Sequence, residues 1–248
     1  MSKFKGFAVI AVSLVFILFT NVASAVEIGP LQAGAAKVDI TPDANQIPGP
    51  YTSILDHIYA RAIYLDNGHE RAVLLNADIG VMSSDICDSA SKEISKQLNV
   101  PLANILISAT HDHSAIFGEG PGSADLPAVK AFREKLGGGM VEAATQAKAR
   151  VQPARIGYGK GNLYLNVNRD AIDEQTRLWA QEPNLNYPSD KTLAVVKIES
   201  LSGELIAVYM NYAMHAISLF LDGKVSGDFP GEAARYIEHM HGDKAVVL

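Results

Sequence analysis

Two histidines after an apolar run are the residues of this sequence best suited to chemistry. His111 and His113 follow residues 105–110, whose sequence ILISAT is typical of a buried strand. If the extended conformation continues, side chains two residues apart point to one side, so both imidazoles lie at the carboxyl end of the strand. Imidazole is a common metal ligand and titrates near neutral pH. The pattern therefore predicts a metal site or a proton-transfer site.

His215 has a similar setting, because it follows the apolar run 206–210 and precedes a loop. Ligand sites in α/β sheets gather at the carboxyl ends of strands, so His111 and His215 can converge on one ion. A local hydrogen-bonding role for each histidine is the alternative. A catalytic zinc site usually has three protein ligands and a water, so a further ligand is required. The candidates for it are His113, Asp78, Asp228 and a residue beyond Leu248. The other four histidines are expected at the surface: His57, His69, His239 and His241.

The elements that must position these residues alternate along the chain. The patterns predict strands at 36–40, 59–65, 71–77, 105–110, 155–160, 163–167, 193–199 and 205–210. They predict helices at 84–97, at 126–150 with an interruption at Gly137-Gly138-Gly139, and at 228–240 with Asp228 as the cap. Alternating strands and helices indicate an α/β fold with a mixed sheet. Residues 245–248 open one more apolar strand, and we therefore expect a truncated product or a partial sequence.

The first 25 residues have the features of a secretory signal peptide. Lys3 and Lys5 are followed by the apolar stretch 7–19 and by the small residues Ala23-Ser24-Ala25. Cleavage near Ala25 predicts an exported protein, secreted or periplasmic, made of residues 26–248. An uncleaved membrane anchor is the alternative, but the apolar stretch is short for one.

Composition excludes several partners. The net charge of −6 becomes −8 when the two lysines of the leader are removed, and no run of Lys or Arg occurs. Nucleic acid is not an expected partner, because neutralising phosphates needs a basic face. An acidic protein is also poorly suited to anionic lipid surfaces. Cys87 is the only cysteine, so an internal disulfide is impossible.

Six short segments, spread over nearly all of residues 26–248, carry a family resemblance. In chain order they are AGAAKVDITP (33–42), YARA (59–62), SATHDHS (108–114), NVNR (166–169), AMH (213–215) and VSGD (225–228). This ordered set resembles the N-terminal catalytic domain of the neutral/alkaline, non-lysosomal ceramidase family. The resemblance implies a ceramidase-type α/β domain, here incomplete, in a Zn²⁺-dependent amidohydrolase that cleaves the amide of N-acylsphingosine.

The resemblance also implies roles for individual residues. His111 and His215 match the first and second zinc ligands, and His113 matches a histidine that faces the substrate. Arg169 matches an arginine that holds polar substrate atoms, a role that suits the rigid fork of guanidinium donors. In the family, the segment after the one matching 245–248 carries the catalytic serine, and Glu and Tyr ligands follow before a terminal immunoglobulin-like domain. The implied partner is a ceramide-like lipid amide, reached at a membrane surface.

Three features of the sequence differ from the family pattern. Asp112 replaces a threonine, Ala115-Ile116-Phe117 replaces a Gly/Pro-rich stretch, and Asp170-Ala171 replaces Ser-Pro. The second change lies beside the expected substrate position, where bulkier side chains change what fits. Hydrolysis of another amide or ester is therefore one alternative function, and a metal-binding remnant without activity is another.

Overall fold

The computed structural model describes residues 29–117, 123–219 and 222–248, so the expected signal peptide lies outside the described residues. The helices are α1 (Ser84–Leu98), α2 (Pro127–Ala149) and α3 (Asp228–Met240), with short 3₁₀ turns at Leu102–Asn104 and Ser123–Asp125. The strands are β1 (Gln32–Asp39), β2 (Ser53–Ile54), β3 (Tyr59–Asp66), β4 (Arg71–Ala77), β5 (Ile105–Ala109), β6 (Gln152–Asn162), β7 (Asn168–Ile172), β8 (Trp179–Asn184), β9 (Thr192–Ser200), β10 (Leu205–Tyr212), β11 (Lys224–Val225) and β12 (Val246–Val247).

Eight of the strands form one mixed sheet in the order β12-β10-β9-β6-β1-β3-β4-β5. The pairs β10–β12 and β4–β5 are parallel, and the other neighbours are antiparallel. Two small sheets lie outside it: β2 pairs with β11, and β7 pairs with β8. The predicted α/β fold with a mixed sheet is confirmed.

The main sheet curls over one of its faces. β12 lies at one end of the strand order, yet it contacts β1 and β3 near the middle. One buried cluster accordingly combines Ala33 of β1, Ile63 of β3, Ile198 of β9, Ala207 of β10 and Val246 of β12. Apolar burial on the concave face thus brings the two edges of the sheet towards each other.

Helix α2 packs against the opposite face, on β1 and β3, and it runs without a break through Gly137-Gly138-Gly139. The predicted interruption was wrong. A Cβ atom at Gly139 would lie 2.6 Å from Cγ2 of Ile40, so this glycine lets the helix approach the sheet closely. Three glycines cost a helix about 1 kcal/mol each relative to alanine, and burial of the apolar face of α2 outweighs that cost.

Two further expectations differ from the structure. Residues 163–167 form no strand: Leu163 bonds to Lys191 and the N–H groups of Leu165 and Asn166 donate to the hydroxyl of Tyr212. Asp228 is the first helical residue rather than the cap of α3. The cap position is Gly227, and the Asp228 carboxylate accepts the N–H of Phe229.

Candidate metal centre

Three histidine rings meet at the carboxyl ends of β5 and β10. The metal-ligating ring nitrogens of His111, His113 and His215 all lie within 4.8 Å of one another. The rings of His111 and His215 are nearly parallel with centroids 4.9 Å apart, and Nε2 of His113 lies 2.7 Å from Nε2 of His215. The expected convergence of the strand-end histidines is therefore present, and His113 joins it.

The curl of the sheet makes this convergence possible. β10 and β5 are separated by six strand positions, which in a flat sheet would place them about 29 Å apart. His215 lies three residues after β10 and His111 two residues after β5, so the loops are too short to span that distance. The carboxyl ends of β10 and β5 must therefore approach each other for the rings of His215 and His111 to touch.

The orientation of His111 depends on a bend in the backbone and on one carbonyl group. His111 has φ +59°, so the extended conformation expected from the pattern stops at Ala109. Its Nδ1 lies 2.9 Å from the carbonyl oxygen of Gly80, which accepts a hydrogen bond from that nitrogen. The lone pair is then on Nε2. A fixed tautomer of this kind is the usual outer-shell arrangement of a metal-binding histidine.

Gly80 is a contributor that the sequence pattern did not single out. A Cβ atom at this position would lie 2.2 Å from Cγ1 of Ile116 and 2.8 Å from the carbonyl oxygen of Asp112. The N–H of Gly80 also donates to the carbonyl of Ala115. Only glycine therefore fits beside the histidine loop. The one feature of the sequence that could have identified Gly80 is its position three residues after β4, near the end of a strand.

The surroundings of His215 favour its neutral form. Burial lowers the pKa of His215, and the nearby charges of His113, His111 and Arg169 lower it further. Arg169 lies partly buried on β7, so the structure brings the predicted arginine within electrostatic reach of the histidines. A neutral imidazole with a free lone pair is the form that binds a metal ion.

The other candidate ligands are engaged elsewhere. Asp78 is buried and forms an ion pair with Arg61, and Asp228 accepts the N–H groups of Leu219 and Phe229. The four remaining histidines are exposed, as expected: His57, His69, His239 and His241. The structure thus favours His113 over the two aspartates as the third nearby donor.

Asp112 lies buried between the two histidines of the motif. Burial raises the pKa of Asp112 to about 8, against the lowering effect of the Ser114 N–H, and the nearby carboxylates of Asp228, Asp78 and Asp56 also raise it. A carboxyl group with this pKa is mostly protonated at neutral pH. It adds little negative charge to the histidine cluster.

The family model for the N-terminal domain of neutral/alkaline non-lysosomal ceramidases matches residues 45–247. The chain belongs to this ceramidase family. The resemblance drawn from the six sequence segments is confirmed.

Known proteins and solved structures are also similar to this chain. It is 26% identical to neutral ceramidase A of Dictyostelium discoideum, over 81% of this chain and 30% of that protein. It is also 26% identical to the neutral ceramidase of Pseudomonas aeruginosa, over 95% of this chain and 37% of that protein. The crystal structure of neutral ceramidase from Pseudomonas aeruginosa matches with a TM-score of 0.69 and 22% identity, over 88% of this chain and 38% of that one. A structure described as ceramidase complexed with C2 matches with a TM-score of 0.68 and 24% identity.

These comparisons establish the family and the fold of this ceramidase-family chain. The chain spans between 30% and 38% of the length of the relatives named above. None of the helices in residues 29–117, 123–219 and 222–248 is long and apolar enough to cross a membrane.

The donor set fits a metal ion. Imidazole nitrogens suit zinc, and the Gly80 carbonyl fixes the His111 tautomer that leaves Nε2 as the donor. The contact between Nε2 of His113 and Nε2 of His215 requires one nitrogen to carry a proton that the other accepts. A metal ion would bind only at a nitrogen that carries a lone pair, so binding at either of these two nitrogens would replace this hydrogen bond.

Proposed function

We propose that this protein is the histidine-bearing N-terminal part of an exported, zinc-dependent amidohydrolase of ceramidase type. Its substrate is N-acylsphingosine (ceramide), whose amide bond is hydrolysed to sphingosine and a fatty acid. The observation that carries the proposal is the cluster of three histidine nitrogens within 4.8 Å, in a chain that belongs to the ceramidase family.

His111 and His215 are the zinc ligands contributed by this chain. The Gly80 carbonyl orients the ring of His111, and burial together with neighbouring positive groups lowers the pKa of His215. Zinc, when bound, polarises the amide carbonyl and lowers the pKa of a bound water to about 7. The remaining ligands come from outside the region that this chain spans in its relatives.

His113 and Arg169 act on the substrate. Nε2 of His113 lies beside the ring of His215, where it can hold or move a proton at the reacting amide. Arg169, on β7 and near enough to His215 to lower its pKa, donates hydrogen bonds to substrate oxygens, which also stabilises developing negative charge.

A cavity next to the histidines suits a lipid chain. It has a volume of about 390 Å³ and includes Thr110 and Met214, the residues that precede His111 and His215. Much of its wall is apolar, with Leu163, Phe229 and Ile237 among the lining residues. An alkyl chain leaving the amide can enter this space and lose its contact with water.

Metal binding is the first test. We expect His111→Ala and His215→Ala to weaken Zn²⁺ binding by more than about 100-fold, because each removes a ligand. His113→Ala is expected to keep the affinity within about tenfold, since this residue faces the substrate. Isothermal titration calorimetry of the metal-free protein measures all three. His239→Ala, at an exposed histidine, is the matched control. Full retention of affinity in both His111→Ala and His215→Ala contradicts the proposal.

A related hydrolase of another amide or ester is the second candidate. It is favoured by Ile116 and Phe117, which are partly buried just after the histidine motif, where the family pattern is Gly/Pro-rich. Release of fatty acid from short-chain ceramide, compared with release from polar N-acyl and O-acyl substrates, distinguishes the two. Faster hydrolysis of the polar substrates selects the second candidate.

Export is tested separately from activity. The proposal predicts that the protein recovered from the periplasm or the medium begins at Val26. Mass spectrometry of the intact protein measures this. Recovery of an unprocessed chain in the cytoplasm contradicts export and leaves the metal site unaffected.

A further inference from the structure

The segment Tyr51–Asp56 reaches both loops that carry the histidine cluster. Thr52 and Leu55 donate backbone hydrogen bonds to Gly223 and Val225, alongside the β2–β11 pair. Asp56 accepts hydrogen bonds from the Ser226 hydroxyl and the Gly227 N–H at the start of α3. One end of the segment is therefore attached to the chain that follows His215.

The other end is attached to the loop that follows His113. The hydroxyl of Tyr51 donates to the backbone carbonyl of His113 at 2.9 Å and accepts the backbone N–H of Ile116 at 2.9 Å. The Tyr51 ring also packs edge-on against Phe117, with centroids 5.4 Å apart. A single phenolic oxygen thus bonds two backbone groups of the histidine loop from more than sixty residues away in sequence.

Both backbone groups of His113, its N–H and its carbonyl, form hydrogen bonds. Its N–H donates to the carbonyl of Ala216, the residue after His215, at 2.9 Å. Its carbonyl accepts the hydroxyl of Tyr51. The first bond brings residue 113 beside the His215 loop, and the second fixes the orientation of the peptide unit that follows it.

We infer that Tyr51 is a positioning residue, whose hydroxyl holds the imidazole of His113 against His215. The inference rests on the proposed role of His113 beside the metal. The Tyr51 hydroxyl bonds the backbone of His113 and Ile116, so Tyr51 acts through the position of His113. A shift of about 1 Å in a reacting group can cost about 100-fold in rate, and the hydroxyl opposes such a shift.

Tyr51→Phe isolates the hydroxyl, because the ring and its contact with Phe117 remain. Tyr64→Phe is the matched control: Tyr64 is buried on β3, where it pairs with Gly34 and Val73 in the body of the sheet. For a chain of this length both variants are expected to lower Tm by no more than about 4 °C.

The decisive measurement is the NMR cross-peak between the ring protons of His113 and His215 in the metal-free protein. We expect the cross-peak in the wild type and in Tyr64→Phe, and its loss in Tyr51→Phe. The amide of Ile116, which loses its acceptor, should exchange with solvent about tenfold faster in Tyr51→Phe. Zn²⁺ affinity should stay within about tenfold of the wild type, as for His113→Ala.

Persistence of the cross-peak in Tyr51→Phe overturns the inference, as does its absence from the wild type. Loss of Zn²⁺ binding together with the cross-peak also overturns it, since Tyr51 would then support the whole cluster. A wild type that shows the cross-peak but binds no Zn²⁺ contradicts the proposed function alone. Positioning by Tyr51 and metal binding are thereby judged separately.

Discussion

The two sides of the candidate site differ in how they are held. The histidine side lies on loops bonded to one another through buried residues: the loop 111–117 bonds to Gly80, Ala216 and Ser226, which follow β4, β10 and β11. The arginine side is the β7–β8 hairpin, a separate two-stranded sheet in which Ile172 is 55% and Trp179 62% exposed. An isolated hairpin is marginally stable in water, and such elements open first. The three histidines are therefore preorganised by the fold, whereas the position of Arg169 depends on a weaker element.

The largest difference in stability is expected between Arg61→Ala on the histidine side and Arg169→Ala on the arginine side. Arg61 is fully buried, bonds to Asp78 and lies 3.9 Å from Glu238. Arg61→Ala leaves the buried Asp78 carboxylate without its ion-pair partner, whereas Glu238 keeps its ion pair with Lys37. The loss should lower the free energy of unfolding by about 3–5 kcal/mol. Arg169→Ala should change it by less than about 0.5 kcal/mol, because the side chain is partly exposed on the hairpin. Urea denaturation measures both. Equal losses in the two variants would remove the contrast.

A glycine on the histidine side gives the next largest effect. Gly80→Ala places a Cβ atom against Ile116 and the Asp112 carbonyl, and should cost about 1–3 kcal/mol of stability. The displaced carbonyl should also weaken Zn²⁺ binding about 10- to 100-fold, as expected for an outer-shell partner. Calorimetry and denaturation measure the two effects.

Gly138→Ala is the matched control for that change. A Cβ atom at Gly138 meets no atom within 4 Å, and the residue lies inside α2. The substitution should raise stability by about 0.5–1 kcal/mol and leave Zn²⁺ binding unchanged.

Zn²⁺ affinity that is unaffected by Gly80→Ala would show that the Gly80 carbonyl does not orient His111.

A smaller effect is expected on the arginine side. The indole of Trp179 donates to the Asp170 carboxylate across the hairpin, and both side chains are exposed. Trp179→Ala should lower global stability by less than about 1 kcal/mol, yet make residues 168–184 more sensitive to limited proteolysis. Unchanged cleavage sites and rates in this variant would indicate that the hairpin is held more firmly than its contacts suggest.

The smallest expected effect concerns pH. Burial raises the pKa of Asp39, but hydrogen bonds from Thr41 and His57 outweigh it, so the pKa lies below the ordinary aspartate value of 3.8. A carboxylate with a lowered pKa stabilises the fold above that value, and this stability is lost as the pH falls through the pKa of the folded state. Asp39 is partly exposed, so the loss should stay below about 1 kcal/mol. Denaturation between pH 6 and about 3 should show a shallower pH dependence in Asp39→Asn. An unchanged slope would contradict this assignment.

Much of the fold was predictable because its signals are local. The β-rich runs 59–65 and 71–77 identified β3 and β4, and the runs 193–199 and 205–210 identified β9 and β10. The continuous α2 was not predicted, because the tight packing of Gly139 against Ile40 is a contact between distant residues. The β7–β8 hairpin was missed as well. Its sequence mixes charged and aromatic residues without a clear alternation, and one strand contains Pro183.

The sequence by itself determined which residues end the strands and therefore which side chains are available: His111, His113 and His215 all follow apolar runs. It also determined the family, because six short segments match the family motifs in the same order along the chain. Only the tertiary structure decided that these rings touch, that Gly80 selects the tautomer of His111, and that Asp78 pairs with Arg61. The physical reason is that local spacing sets the direction of a side chain. The distance between two strand ends six positions apart depends instead on how buried apolar contacts curl the whole sheet.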